Sequence, residues 1–152
     1  MAPAPAAPVE GVSRANARES AESYLSSSSF SRSGLIEQLE YEGFSNADAT
    51  YAVDSINANW TEQAALSATG YLSSSSFSRS GLVEQLEYEG FSNADAIHGV
   101  DVADADWSEQ AALSAAGYLR SSSFSRSGLV DQLLYEGFTP AEAEYGVSTT
   151  GL

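Results

Sequence analysis

A 47-residue period runs through this chain of 152 residues: Tyr24-Leu25, Tyr71-Leu72 and Tyr118-Leu119 recur at that interval, as do Phe30, Phe77 and Phe124. A period of this length marks an array of supersecondary units, each too small to bury its apolar face alone and each completed by its neighbours. Residues 24–61 and 71–108 are identical at 29 of 38 positions, which points to a recent duplication. The third copy has drifted further but keeps Phe124-Ser125-Arg126-Ser127-Gly128-Leu129-Val130 in step with Phe77 to Val83. The predicted units are residues 13–58, 59–105 and 106–152. Ahead of them, residues 1–12 read as an extended Pro/Ala-rich tether, with Pro3, Pro5 and Pro8.

Each unit is expected to hold three helices. The first, seen in the second unit from about Trp60 to Leu72, places Trp60, Ala64, Ala68, Tyr71 and Leu72 on one stripe. Asn59 with Glu62, and Asp106 with Glu109, have the spacing of capping boxes. Ser73 to Ser76 compete for backbone hydrogen bonds and are expected to form a turn closed by Phe77. The second helix starts at Ser31, Ser78 or Ser125 as N-cap and turns Leu35, Ile36 and Leu39, or their equivalents, inward. Its end is written in Glu42-Gly43-Phe44, repeated at 89–91 and 136–138: the glycine can take the left-handed conformation and the Phe can fold back on Leu39. Ser45 with Asp48, Ser92 with Asp95 and Thr139 with Glu142 then cap a third helix, whose buried side carries Ala49, Ala52, Val53 and Ile56. No stretch alternates as a strand would, so the fold class is all-α, a tandem array of helix-turn-helix-like repeats. Trp60 and Trp107, with Leu66 and Leu113, are expected to face the preceding unit, because the first unit, which has no predecessor, carries Ser13 and Glu19 at those positions.

Charge narrows the function. With 6 Lys+Arg against 21 Asp+Glu the chain carries −15. Nucleic acid is excluded as a partner, since such binding depends on cations displacing counterions from phosphates. The would-be recognition helix from Ser31 to Glu42 sets Glu37, Glu40 and Glu42 against Arg32 alone and would repel a phosphate backbone. No run approaches a membrane span, and none inserts in a membrane. There is no Cys and one His, which removes thiolate chemistry and the common zinc sites. The 27 serines find no repeated base to activate them, so the expectation is a non-enzyme requiring no cofactor and no metal. Asp101, Asp104 and Asp106 gather carboxylates but lack the glycine and bidentate Glu of a calcium loop; capping and solvation account for most of that cluster. His98 stands where the other units have Tyr51 and Tyr145 and reads as a packing variant.

One repeated pair is more informative. With Leu35 and Leu39 inward, 100° per residue turns Glu37 and Tyr41 outward, and the pair recurs as Glu84 with Tyr88 and Asp131 with Tyr135. Two accounts follow: each Tyr packs on the neighbouring unit beside a solvated carboxylate, or the six residues form an acidic-aromatic stripe that binds a basic protein segment with Tyr as anchor.

The string Phe30-Ser31, Gly34-Leu35, Gln38-Leu39, Glu42-Gly43-Phe44, with the Tyr-Leu and serine turn before it and Ala-x-x-Val after it, resembles the repeat of Ltp-type host cell surface-exposed lipoproteins, over residues 13–147. The resemblance implies helical units outside the cell membrane on a lipid anchor, and in prophage members a role in superinfection exclusion, blocking DNA injection by a second phage. It implies as partner a basic segment of a phage tail or tape-measure protein. The expected location is extracellular, at the cell surface, as a mature form without signal or lipobox cysteine. The competing expectation is a structural or adhesive cell-wall-associated repeat with no phage role.

Overall fold

The computed structural model describes residues 2, 3 and 10–152, so most of the proposed tether lies outside the described residues. Those residues form nine helices and no strand. The first unit is α1 (Val12–Ser27), α2 (Arg32–Tyr41) and α3 (Asn46–Ile56). The second is α4 (Trp60–Ser74), α5 (Arg79–Tyr88) and α6 (Asn93–Ala103), and the third α7 (Trp107–Ser121), α8 (Arg126–Tyr135) and α9 (Pro140–Ser148).

Local chemistry sets the helix ends. Ser31, Ser78 and Ser125 each accept a hydrogen bond from the glycine N–H three residues on, at 2.9, 2.9 and 3.0 Å, and so start the second helix of each unit. That helix stops as the Glu-Gly-Phe string requires. Gly43 sits at φ +103°, its N–H donates to the Glu40 carbonyl, and the Phe44 N–H donates to the Leu39 carbonyl at 3.1 Å, the paired bonds of a Schellman end. The first helix outruns its expected end: α4 reaches Ser74, with the hydroxyls of Ser73 and Ser74 donating back to the Gly70 and Tyr71 carbonyls. Only Thr139 and Glu142 make the full reciprocal capping box. At the other expected boxes the N-cap side chain bonds the N3 backbone. Asp48 and Asp95 aim their carboxylates instead at the first helix of their own unit, Asp48 accepting from Ser13 and Arg14 and Asp95 from the Thr61 hydroxyl.

Each unit closes around its own small core. The largest fully buried side chains are the two leucines of the second helix and one valine of the third: Leu35, Leu39 and Val53, then Leu82, Leu86 and Val100, then Leu129, Leu133 and Val147. Alanines 17 and 21, 64 and 68, or 111 and 115 supply the facing side of the first helix. Tyr24 meets Phe30 edge to face at 5.6 Å between ring centres, and the pair repeats in both later units. An exposed ion pair joins second to third helix in every unit: Arg32–Asp54, Arg79–Asp101 and Arg126–Glu144. Such pairs orient more than they stabilise.

The units then join head to tail through a repeated set of contacts. Trp60 rests on the core of the first unit and Trp107 on that of the second. The backbone N–H of Phe30 donates to Oε1 of Gln63 at 3.1 Å, and that of Phe77 to Oε1 of Gln110 at 3.0 Å. Ser29 bonds Ser67, and Ser76 bonds Ser114, hydroxyl to hydroxyl. The Ser31 hydroxyl also donates to the carbonyl of Glu89 at 2.5 Å and the Ser78 hydroxyl to that of Glu136 at 2.5 Å, so the start of one second helix meets the end of the next. This sets the electropositive end of one helix against the electronegative end of another. Leu66 and Leu113 have a smaller share in the junction than expected, although Leu113 lines the second junction groove beside Ser75 and Ser76 of the preceding unit. The two leucines remain 53% and 50% exposed, because the Trp, Gln and Ser of the first helix make most of the contact with the preceding unit.

Two measurements check this account. Trp107→Ser should destabilise the array by about 2 kcal/mol, roughly half of a full Trp truncation because the ring is only half-buried, whereas Leu113→Glu should stay within about 0.5 kcal/mol as a surface change does. Calorimetry showing the reverse order would overturn the assignment of the junction. At the glycines, Gly43→Ala meets no atom within 4 Å and pays only for its left-handed backbone, about 1 kcal/mol. A Cβ at Gly90 would lie 2.0 Å from the Ser33 hydroxyl as well. Gly90→Ala should therefore melt distinctly lower than Gly43→Ala.

Candidate protein-binding face

The second helix of each unit turns two inward leucines to the core, and the residues midway between them turn away from it. Glu37, Glu84 and Asp131 are all exposed. Tyr41, Tyr88 and Tyr135, each four residues further on, are 88%, 87% and 88% exposed. Tyr41 and Tyr88 therefore stand in solvent and do not pack on the neighbouring unit. Because the three helices are equivalent parts of equivalent units, the array presents a carboxylate, Glu twice and then Asp, beside a phenol three times, one helical turn apart within each pair.

The surrounding charge leaves the face acidic. Of the arginines, all but Arg120 are taken up by carboxylates among the described residues: Arg14 by Asp48, Arg18 by Glu10 and Glu22, and Arg32, Arg79 and Arg126 by the third helix of their unit. The cation at the start of each second helix is thus drawn sideways, away from Tyr41 and its equivalents. Glu40 and Glu87 are held by Asn46 and Asn93 at 2.8 and 2.9 Å. The third unit has the half-exposed Leu134 there. Among the described residues Glu37, Glu84 and Asp131 make no ion pair.

Other sequence candidates have structural employment. Asp101 pairs with Arg79, Asp104 takes the left-handed position that ends α6 at φ +49°, and Asp106 caps α7. Among the described residues no group of three or more His, Asp or Glu is placed to hold a metal ion. His98 is exposed.

The sequence did not disclose the grooves at the two junctions. Ser29, Ser67, Gly70, Tyr71, Ser74 and Glu89 line the first, and the equivalents Ser76, Ser114, Gly117, Tyr118, Ser121 and Glu136 line the second. Burial at the junction pushes the carboxyls of Glu89 and Glu136 up from their ordinary range. Glu42, the equivalent in the first unit, instead accepts a hydrogen bond from the Tyr24 hydroxyl, and that bond raises the phenol's pKa. Hydrogen bonds from Arg32 lower Asp54, and those from Ser13 and then Arg14 lower Asp48.

The architecture, three helical units in tandem with an acidic outer face, defines an all-helical repeat protein. The family model of the host cell surface-exposed lipoprotein, Ltp type, matches three times, at residues 13–56, 59–102 and 106–149, and the chain belongs to that family. Membership assigns it a surface-protein role in a family that is not one of enzymes. No helix among the described residues is long and apolar enough to cross a membrane. No curated protein and no solved structure matches the chain.

The shifted carboxyls predict a pH profile. A carboxyl whose folded pKa is raised binds protons more readily when folded, so Glu89 and Glu136 make stability rise as pH falls from 7 toward their ordinary value of 4.5. Asp48 and Asp54 act oppositely, and their contribution is lost as pH falls through depressed values below 3.8. Melting temperature should therefore peak in mild acid. Glu89→Gln with Glu136→Gln should raise it at pH 7 and flatten the acid-side rise; an unaltered profile would remove the junction carboxyls as its source.

Proposed function

We propose that this chain is an extracellular or cell-surface interaction protein of the superinfection-exclusion type, and that the stripe Glu37, Tyr41, Glu84, Tyr88, Asp131 and Tyr135 binds a basic segment of a phage protein, such as a tail or tape-measure protein. The observation that carries the reading is the near-complete exposure of three equivalent tyrosines, each one turn from an unpaired carboxylate. A phenol ring left in water at the same place in three units contributes nothing to any core, and Tyr is among the residues that anchor protein interfaces.

The mechanism follows from charge and repetition. A net charge of −15, with every arginine but Arg120 paired to a carboxylate, gives a long-range field that speeds encounter with a cationic chain. An extended basic segment can then engage successive units, and repeated weak contacts reinforce one another. A carboxylate and a phenol side by side offer a lysine or arginine both an ion pair and an aromatic face. An unfolded protein in transit across the cell envelope is such a segment, and holding it would stall what it leads.

The test is binding of basic segments of phage tail and tape-measure proteins to the full chain at low and high salt. Affinity should fall steeply with salt, and Tyr41→Ala, Tyr88→Ala and Tyr135→Ala together should weaken it at least tenfold while leaving the melting temperature nearly unchanged. Binding indifferent to both salt and the triple change would place the site elsewhere. Failure of every segment to bind would return the chain to a structural or adhesive role.

A further inference from the structure

Each unit presents one face to the unit that follows it, and both junctions show what covers that face. At the first, the Phe30 N–H finds Gln63, the Ser29 hydroxyl finds Ser67, and Ser31, only 2% exposed, reaches the Glu89 carbonyl. At the second, Phe77, Ser76 and Ser78 meet Gln110, Ser114 and Glu136 in the same way. The third unit carries the same residues, Ser123, Phe124 and Ser125, followed by the same Arg126-Ser127-Gly128-Leu129. Its backbone is already set: Ser125 has φ −73° and ψ 161°, against −77° and 160° for Ser31. Yet Ser125 is exposed, and among the described residues the Phe124 N–H has no acceptor and no Trp lies on the third core.

The complementary face is equally well defined by the two junctions. It is a helix that follows an Asn or Asp cap with Trp, places Gln three residues on and Ser four beyond that, as Trp60, Gln63 and Ser67 or Trp107, Gln110 and Ser114 do. A second copy of this chain does not offer it, since the first unit has Ser13, Asn16 and Ser20 there, and Ser13 and Arg14 are bonded to Asp48. We propose that the open face of the third unit, formed by Ser123, Phe124, Ser125 and Ser127, is a docking site for a helical unit of the same kind, one whose first helix displays Trp-x-x-Gln-x-x-x-Ser. The partner is recognised by a Trp ring set on the alanine-leucine core and by an amide oxygen capping the Phe124 N–H. This site is separate from the tyrosine stripe and does not depend on it.

A full-length donor tests the proposal. Ser13→Trp with Asn16→Gln rebuilds the complementary face on the first unit, and Ser127→Arg on the same chain blocks its own open face. The corresponding Ser33 and Ser80 hydroxyls each bond a glycine carbonyl of the following unit. Mixed with the wild-type chain, this donor should form a 1:1 complex by analytical ultracentrifugation, and it should form none with the Ser127→Arg single variant. Without Ser127→Arg, the donor should associate with itself into open head-to-tail chains. A donor that folds by circular dichroism but forms no complex at roughly 1 mM chain would overturn the proposal, as would a complex that Ser127→Arg leaves intact. If the donor misfolds, a full-length chain whose first unit, residues 13–58, is replaced by a second copy of residues 59–105, again with Ser127→Arg, takes its place, since it presents Trp60, Gln63 and Ser67 in their own unit. It should form a complex with the wild-type chain and not with the Ser127→Arg single variant, and no difference between the two would equally overturn the proposal.

Discussion

A single buried serine hydroxyl at each junction holds the array in register. Ser31 accepts the Gly34 N–H, and so starts α2, while donating its own proton to the carbonyl of Glu89, the residue that caps the end of α5. The same atom therefore decides where a helix begins and where the next unit sits. Each bond is worth about 1 kcal/mol net, but leaving such a buried group unpaired costs about 1–3 kcal/mol. Helix start and unit docking are thus coupled, and the small alanine-leucine cores, too slight to hold alone, are locked together in one geometry.

How much of this was legible depended on the range of the interaction. The period, the serine caps and the Glu-Gly-Phe stops are local, and the residues that specify them lie within a turn of where they act. The outward direction of Tyr41 was legible for the same reason, since 100° per residue is a property of one helix. Whether Tyr41 then met a neighbouring unit was not, because that depends on the angle between units, which Trp60, Gln63 and Ser67 set across 33 to 38 residues of sequence. The replacement of Leu66 by Glu19 in the first unit marks an edited surface, but it does not show that Trp60, Gln63 and Ser67 carry most of the contact while the leucine stays half-exposed. The role of Gln63 does carry a local signal, a Gln three after Trp in both later units against Asn16 in the first.

Divergence among the units also follows the environment. The third unit has Ser148 where Asp54 and Asp101 stand, and its Arg126 turns to Glu144, one helical turn earlier, so the bridge between second and third helices is kept by a different residue. Phe44 is half-exposed whereas Phe91 and Phe138 are buried, since only the later two have a unit packed in front of them. In place of Trp, Gln and Leu, the first helix of the first unit has polar residues, with Arg14 laid over Tyr51 at 4.5 Å between guanidinium carbon and ring centre.

The sameness of the two junctions bears on how such a chain changes length. A DNA segment encoding one 47-residue period, duplicated in frame by unequal crossing-over, yields a unit whose front and back surfaces already match those on either side. No compensating substitution is needed for the longer protein to fold. Loss of a period is tolerated on the same terms. Near-identical repeats favour that recombination in turn, so the number of outward carboxylate–tyrosine pairs becomes a heritable quantity that moves by whole steps, while the structure of each step stays fixed.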